Sequence, residues 1–318
     1  MNRTLTESND ETRKVTKVIF TFTASLALVG NFLVLLLFAH FPSWLKKKHY
    51  QCILNLAITD ILTAISLLVV PKFIQDEDVY TVPLENFPRE FYCRIVWSHF
   101  IPFSLGITSV YTCLVLAIER WFAVFRPVIY KQKFGMRTMQ ALILCTWIAG
   151  IAFESPIIPR VEGYQDPNTT TAKCKWTVET NQQQSWALAI VLFAGQTFIP
   201  CSFIVLAYCH IFKRLKNERV YPAVFTRRTN SSARSSSKQA LKRATMMMAV
   251  ASLTLIICWL PNQVYFLLAQ LGYFEIKPSI PVRVMGVLVF SNSWINPIIY
   301  AFTNKNFRKG YQTIFSLW

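Results

Sequence analysis

Residues 18–41 read VIFTFTASLALVGNFLVLLLFAHF, a run that no acid, lysine or arginine interrupts. A helix needs about 20 predominantly apolar residues to cross a hydrocarbon core of about 30 Å, so this run can span a bilayer. Six more runs of the same kind follow: Gln51–Lys72, Cys93–Val124, Thr138–Pro159, Ser185–Phe212, Lys242–Gln270 and Val282–Thr303. Over 318 residues, 15% are charged, 53% are hydrophobic and the mean hydropathy is +0.35, whereas a soluble domain carries about 25% charged residues. The predicted fold is therefore an all-α membrane protein, a seven-transmembrane-helix bundle over residues 18–303. The polar segment 1–17 offers no short apolar region with a cleavage site, so the first span is expected to serve as its own insertion signal. Residues 304–318 are expected to form a short amphipathic eighth helix, because Lys305–Phe315 alternates basic and apolar side chains.

On a soluble protein the net charge of +17 would suggest nucleic acid, but its distribution gives another explanation. Seven spans put the termini on opposite sides. With the N-terminus outside, the inner segments hold 21 of the 33 Lys and Arg, and 13 of the 16 acids lie outside. This follows the positive-inside bias, which the opposite orientation violates, and the inner excess suits anionic membrane lipid. A nucleic-acid partner is not expected. The chain reads as a multi-pass plasma-membrane protein with an extracellular N-terminus, and the glycosylation sequons at Asn2 and Asn168 fall on the outer side.

Six of the eight cysteines, Cys52, Cys113, Cys145, Cys201, Cys209 and Cys258, fall in or at the ends of apolar spans, where they act as small buried hydrophobes. Cys93 and Cys174 remain, both outside, where oxidation is permitted. A bridge between them would pin the loop after span four to the top of span three, and would contribute about 4 kcal/mol in the chain-entropy treatment. That loop, Arg160–Gln184, alternates polar and apolar residues around Cys174 and predicts a β-hairpin lid. The basic, Ser-rich inner loop Lys213–Lys242 reads as a flexible segment without a core of its own.

Polar side chains inside spans are costly in lipid and are functional-site candidates by default. They gather here: Asn31 in span one, Asn55 and Asp60 in span two, Ser109 in span three, and Asn292, Ser293 and Asn296 in span seven. Asp60 has no Lys or Arg at its depth, so it needs a cation, a proton or a hydrated cavity. A small monovalent cation suits the oxygen-rich set. The alternative is a protonated or water-satisfied Asp60 that only ties helices together. Prolines recur in the spans too, and each removes a helical hydrogen bond and can seed a hinge.

The motifs fall in a definite order: Gly30-Asn31, then Leu54-Asn55-Leu56-Ala57 with Asp60, then Glu119-Arg120-Trp121 closing span three. Trp147, Pro200 and Tyr208 follow, then Cys258-Trp259-Leu260-Pro261, and last Asn296-Pro297-Ile298-Ile299-Tyr300 with Phe307-Arg308 after it. Together they resemble the rhodopsin-like (class A) G-protein-coupled receptors across the whole chain, most of all the peptide-binding members. The resemblance implies a cell-surface receptor that activates a heterotrimeric G protein. Arg120 would be held by Glu119 at rest and released to the G protein, Trp259 would sense ligand above Pro261, and Tyr208 and Tyr300 would swing inward. Asp60, Ser109, Asn292, Ser293 and Asn296 match the family's sodium pocket, which implies an allosteric sodium ion and no other cofactor.

Four departures stand out against that pattern. Trp121 replaces the usual Tyr, and Leu255 stands where a Phe is usual, six residues before Pro261. Cys93 lies 27 residues before Arg120, slightly further than usual, which leaves the start of span three open. Many members also carry an acid near the inner end of span six, where this chain has Leu241, and that absence implies raised basal activity.

An enzyme is not expected, since the four histidines lie apart and no metal or nucleophile–base spacing appears. A transporter would share the intramembrane Asp60 and broken helices, but no inverted repeat is visible. Phe290 stands where light sensors carry the retinal lysine, and Pro102 where monoamine receptors carry an Asp. The family's ligand-facing positions map to His99, Phe103, Gln196, Asn262, Gln263, Tyr265, Gln270 and Arg283. These amide and aromatic groups, below a rim of mixed charge, suit an extracellular peptide; a small lipid or nucleoside is the alternative. Glu154, near the outer end of span four, is expected to pair with a basic ligand group; the alternative is a hydrogen bond to Ser155 or a water-exposed loop position.

Overall fold

The structure, a computed structural model, describes every residue except 1, 72, 76–78, 166–170, 178–181, 217–230, 276–279 and 317–318, and no side chains at 2–10, 12, 231–238 and 240. Among the described residues, seven helices are long and apolar enough to cross a membrane. They are α1 (Asn2–His40), α2 (Lys48–Val69), α3 (Phe100–Phe125), α4 (Met136–Glu154), α5 (Gln182–Lys216), α6 (Ser231–Gln270) and α7 (Ile280–Thr303). Helix α3 is central and packs on α2, α4, α5 and α6, while α1 closes the bundle against α2 and α7.

Buried polar groups in an apolar bundle must be hydrogen-bonded or they destabilise it, and here they join helices. Asn31 Nδ2 donates to Ser293 O at 2.8 Å, tying α1 to α7. Asn55 Nδ2 donates to Thr112 Oγ1 at 2.9 Å and its Oδ1 accepts from Trp147 Nε1 at 2.9 Å, so one amide links α2, α3 and α4. Helix α4 can approach α3 closely because it presents Gly150: a Cβ there would lie 2.1 Å from Thr108 Oγ1.

The predicted hairpin is present as strands β1 (Val161–Gln165) and β2 (Ala172–Trp176), with Val161 opposite Trp176. A disulfide joins Cys174 of β2 to Cys93 across 81 residues of sequence. Glu90 adds a second tie, accepting from Gly163 N at 3.1 Å and from Arg94 Nε at 2.7 Å. The Arg94 hydrogen bond is the main reason that the Glu90 carboxyl is held below its ordinary range. At the opposite end, α8 (Lys305–Ser316) starts after Asn304, whose Oδ1 caps it by accepting from Asn306 N at 2.9 Å. Phe307 is fully buried among the rings of Phe38, Trp44, Tyr50 and Tyr300.

Three expectations are corrected. Span three is not continuous from Cys93: a wide π turn occupies Tyr92–Trp97, His99 takes a left-handed conformation with φ 65°, and the α-helix starts at Phe100. The extra length between Cys93 and Arg120 is absorbed at this bend. The inner loop is shorter than expected, since α5 continues to Lys216 and α6 starts at Ser231. Cys145 and Cys209 are exposed on outward faces, because the helical pitch turns them away from the core that buries Cys52, Cys113, Cys201 and Cys258. Asn168 lies outside the described residues, as does the Asn2 side chain.

Candidate functional site

Beneath the hairpin, α3, α4, α5 and α6 enclose a cavity of about 230 Å³. His99, Phe103, Glu154, Gln196, Asn262, Gln263 and Gln270 line it, with Arg160 and Trp176 from the hairpin arm. On α6 the lining residues Asn262, Phe266 and Gln270 recur every four positions, which puts them on one face. On α5 a wide π turn at Ala194–Phe198 brings Gln196 inward, where Nε2 donates to Phe153 O at 2.7 Å. Three predicted positions do not line the cavity. Trp259 lies below it, its ring 6.2 Å from that of Phe103. Tyr265 packs on Phe274 at 4.6 Å. Arg283 belongs to α7, which contributes nothing to this lining among the described residues.

Two groups in the cavity wall lack partners among the described residues. Ser155 Oγ donates to Ala152 O at 2.9 Å rather than to Glu154, and the Glu154 carboxylate makes no hydrogen bond or ion pair. Asn262 is 4% exposed, and its Nδ2 finds no acceptor.

Deeper in the bundle, a cavity of about 20 Å³ is lined by Asp60, Ser109, Trp259, Asn292 and Ser293, and also by Leu255. Asn296 Nδ2 donates to Asp60 Oδ2 at 3.0 Å, and Ser109 Oγ lies 3.2 Å from Thr59 Oγ1. All five predicted sodium-site residues therefore come together. Asn292 Oδ1 is buried without a partner among the described residues, and the donor set is hard oxygen, which suits a small hard cation rather than a soft metal. The volume is that of one water-sized species. The residues fit sodium. Above them the Trp259 indole rests on bare α3 backbone, since a Cβ on Gly106 would lie 2.3 Å from its ring. Sequence reading did not single out Gly106, although a glycine inside a helical pattern signals such a close approach.

At the far end of α3, Glu119 and Arg120 are 0% and 3% exposed and form an ion pair. The Tyr130 hydroxyl donates to Glu119 Oε1, and Arg120 Nη2 donates to Tyr130 Oη and lies 3.4 Å from His49 Nδ1. Tyr130 comes from a short helix, Pro127–Lys133, that Pro127 starts at its first position. Burial, and then the Glu119 carboxylate, push the Tyr130 hydroxyl above its ordinary range, so it stays a proton donor. Tyr208 and Tyr300 are buried nearby at 2% and 1% exposure, and the Tyr300 hydroxyl has no partner among the described residues. Tyr130 and His49 escaped the sequence reading because both lie at or beyond span ends, where no apolar run makes a polar residue conspicuous.

The sequence profile of the 7 transmembrane receptor (rhodopsin family) matches residues 30–300. The chain is 25% identical to galanin receptor 2a of Danio rerio, over 95% of its own length and 78% of the relative's. It is 27% identical to galanin receptor type 1 of Homo sapiens, over 95% and 81%, and 26% identical to the allatostatin-A receptor of Bombyx mori, over 95% and 79%. The profile match begins at the Gly30-Asn31 pair of α1 and ends at Tyr300 near the end of α7, so it takes in the core of all seven helices and each polar layer between them; the chain belongs to the rhodopsin family of seven-transmembrane receptors and is not an enzyme.

Proposed function

We propose that this receptor binds an extracellular peptide at the hairpin end of the bundle and activates a heterotrimeric G protein at the arginine end, with its N-terminus outside the plasma membrane. The observation that carries the peptide reading is the hairpin-end cavity. At about 230 Å³ it is smaller than the roughly 300–1,000 Å³ that enclose a whole drug-sized ligand, so it suits the tip of a longer one. The remainder would lie along the hairpin, whose Lys175–Glu162 pair at 3.0 Å offers charge of both signs. That the similar proteins are receptors for galanin and allatostatin-A supports the same reading.

The chain's own residues supply the path between the ends. A ligand tip beside Phe103 presses on Trp259, whose indole lies two residues before the Pro261 hinge. Motion of α6 about that proline opens the arginine end, where Arg120 exchanges Glu119 and Tyr130 for acceptors on the G protein. Asp60, Ser109, Asn292, Ser293 and Asn296 would hold a sodium ion, which supplies positive charge opposite Asp60 when bound. Nucleotide exchange on a G protein, driven by members of a peptide library, tests the reading. Strong activation by a lipid or nucleoside, with no response to any peptide, overturns it. For the cation, Asp60→Asn should remove any sodium dependence of agonist affinity, and an unchanged dependence returns Asp60 to a structural role.

A further inference from the structure

We infer that the hairpin-end cavity is a subsite for the cationic tip of the ligand, with Glu154 taking the positive charge and Asn262 donating to a carbonyl beside it. This rests on the peptide reading above and specifies which chemistry of the peptide enters. Glu154 ends α4 in a 3₁₀ turn, Ser155–Arg160, that carries Pro156 and Pro159. A Pro ring has no N–H, so this turn offers the carboxylate fewer backbone donors than an ordinary one. Ser155 is committed to Ala152 O. The carboxylate therefore faces the cavity with its acceptor capacity unused. A carboxylate so placed in lipid-depth protein needs a charge partner, hydration or a proton, and a ligand cation supplies the first.

Asn262 contributes a second, independent requirement. It is 4% exposed, it lines the same cavity, and its Nδ2 is buried with no acceptor among the described residues. A ligand atom placed against it must accept. The same wall carries apolar surface from Phe103, Phe153 and Leu192, and further polar groups from Arg160 and Gln196. The group that satisfies this wall carries positive charge, has an adjacent carbonyl, and rides on an apolar stem. Either the N-terminal residue of a peptide or an internal Arg or Lys residue has that chemistry, and the cavity volume limits entry to one or two residues.

Four amidated dipeptides separate these sources on the purified full-length receptor: Arg-Trp-amide, N-acetyl-Arg-Trp-amide, norleucyl-Trp-amide and N-acetyl-norleucyl-Trp-amide. Affinity is read from ligand-concentration-dependent thermal stabilisation. A cation-bearing dipeptide should bind at least about tenfold more tightly than the doubly neutral one. If N-acetyl-Arg-Trp-amide keeps the advantage, the side chain is the cation; if norleucyl-Trp-amide keeps it, the terminal ammonium is. In Glu154→Gln the advantage should vanish, and binding of the neutral dipeptide shows that the variant is folded. Asn262→Leu should weaken all four, since each presents the same carbonyl. Equal binding of charged and neutral dipeptides to the native receptor, a cation preference that survives Glu154→Gln, or no dipeptide binding at all would each overturn the inference. Library-driven nucleotide exchange in the same preparation reports the parent reading separately. Peptide activation that ignores Glu154→Gln overturns the cationic subsite alone, whereas activation by no peptide overturns both.

Discussion

One polar cluster at each end of the bundle sets the two ends apart. At the hairpin end, Glu154 and the Asn262 Nδ2 sit in a cavity wall without partners among the described residues. At the arginine end, Glu119 and Arg120 are more deeply buried, yet each is bonded to the other and both reach Tyr130. A buried charge without a partner destabilises the fold, whereas a buried pair with satisfied hydrogen bonds is tolerated. The contrast assigns direction. The hairpin end gains by acquiring a partner from outside the chain, while the arginine end must lose partners before it can acquire one. Binding at the first and release at the second are complementary halves of one switch.

That comparison can be broken most severely at Arg120. Arg120→Ala should abolish G-protein activation while peptide binding at the other end, read without G protein, stays within about threefold of native, because Arg120 is not part of the described cavity wall and its partner in the open state is the G protein. Nucleotide exchange and radioligand binding on the same membranes read both quantities, and normal signalling by the variant would dissolve the distinction. Next in size is Tyr130→Phe. It removes a buried hydrogen bond to a charged group, a contribution of about 1.5–3 kcal/mol, and should raise ligand-free exchange about tenfold at equal surface expression.

Leu241→Glu works in the opposite sense. It supplies an acid near the arginine end of α6, where Lys242 and Arg243 are its neighbours, and an exposed pair adds up to about 1 kcal/mol of restraint. Basal exchange should fall by up to about fivefold at equal surface expression, and no change would count against the raised basal activity expected from Leu241. The smallest expected effect is at the hairpin. The Glu90 carboxyl is held below its ordinary range chiefly by Arg94, so its contribution is present above the ordinary carboxylate range and is lost as pH falls through the depressed value. Exchange of the Gly163 amide should accelerate only in that acid window, and Glu90→Gln should remove the acceleration.

The spans were legible because length and apolarity decide them, and the mid-bundle cluster because polar residues stand out in apolar runs. Asp60, Ser109, Asn292, Ser293 and Asn296 were brought together by the fold as their motifs implied. The bend before α3 was not legible. His99 adopts a left-handed conformation that glycine usually marks in a sequence, and only the extra spacing between Cys93 and Arg120 hinted at it. Tyr265 and Arg283 show the complementary limit: near a helix end the pattern fixes depth, but the packing of neighbours fixes rotation, and Tyr265 packs on the Phe274 ring rather than lining the cavity. Gly106 was hidden because its role depends on the Trp259 ring, which comes from a helix more than a hundred residues away.

Helix α6 carries its proline off-centre, and that asymmetry has a mechanical meaning. At about 1.5 Å per residue, the arm from Pro261 to Gln270 is about 14 Å and the arm from Pro261 to Leu241 is about 30 Å, within the helix Leu241–Gln270. Pivoting at the proline, where one backbone hydrogen bond is missing, gives the helix roughly a twofold gear ratio. A tilt of about 10° that moves the ligand-facing tip by little more than 2 Å sweeps Leu241 through about 5 Å, so a displacement smaller than a side chain at one surface becomes a gap the width of a helical turn at the other.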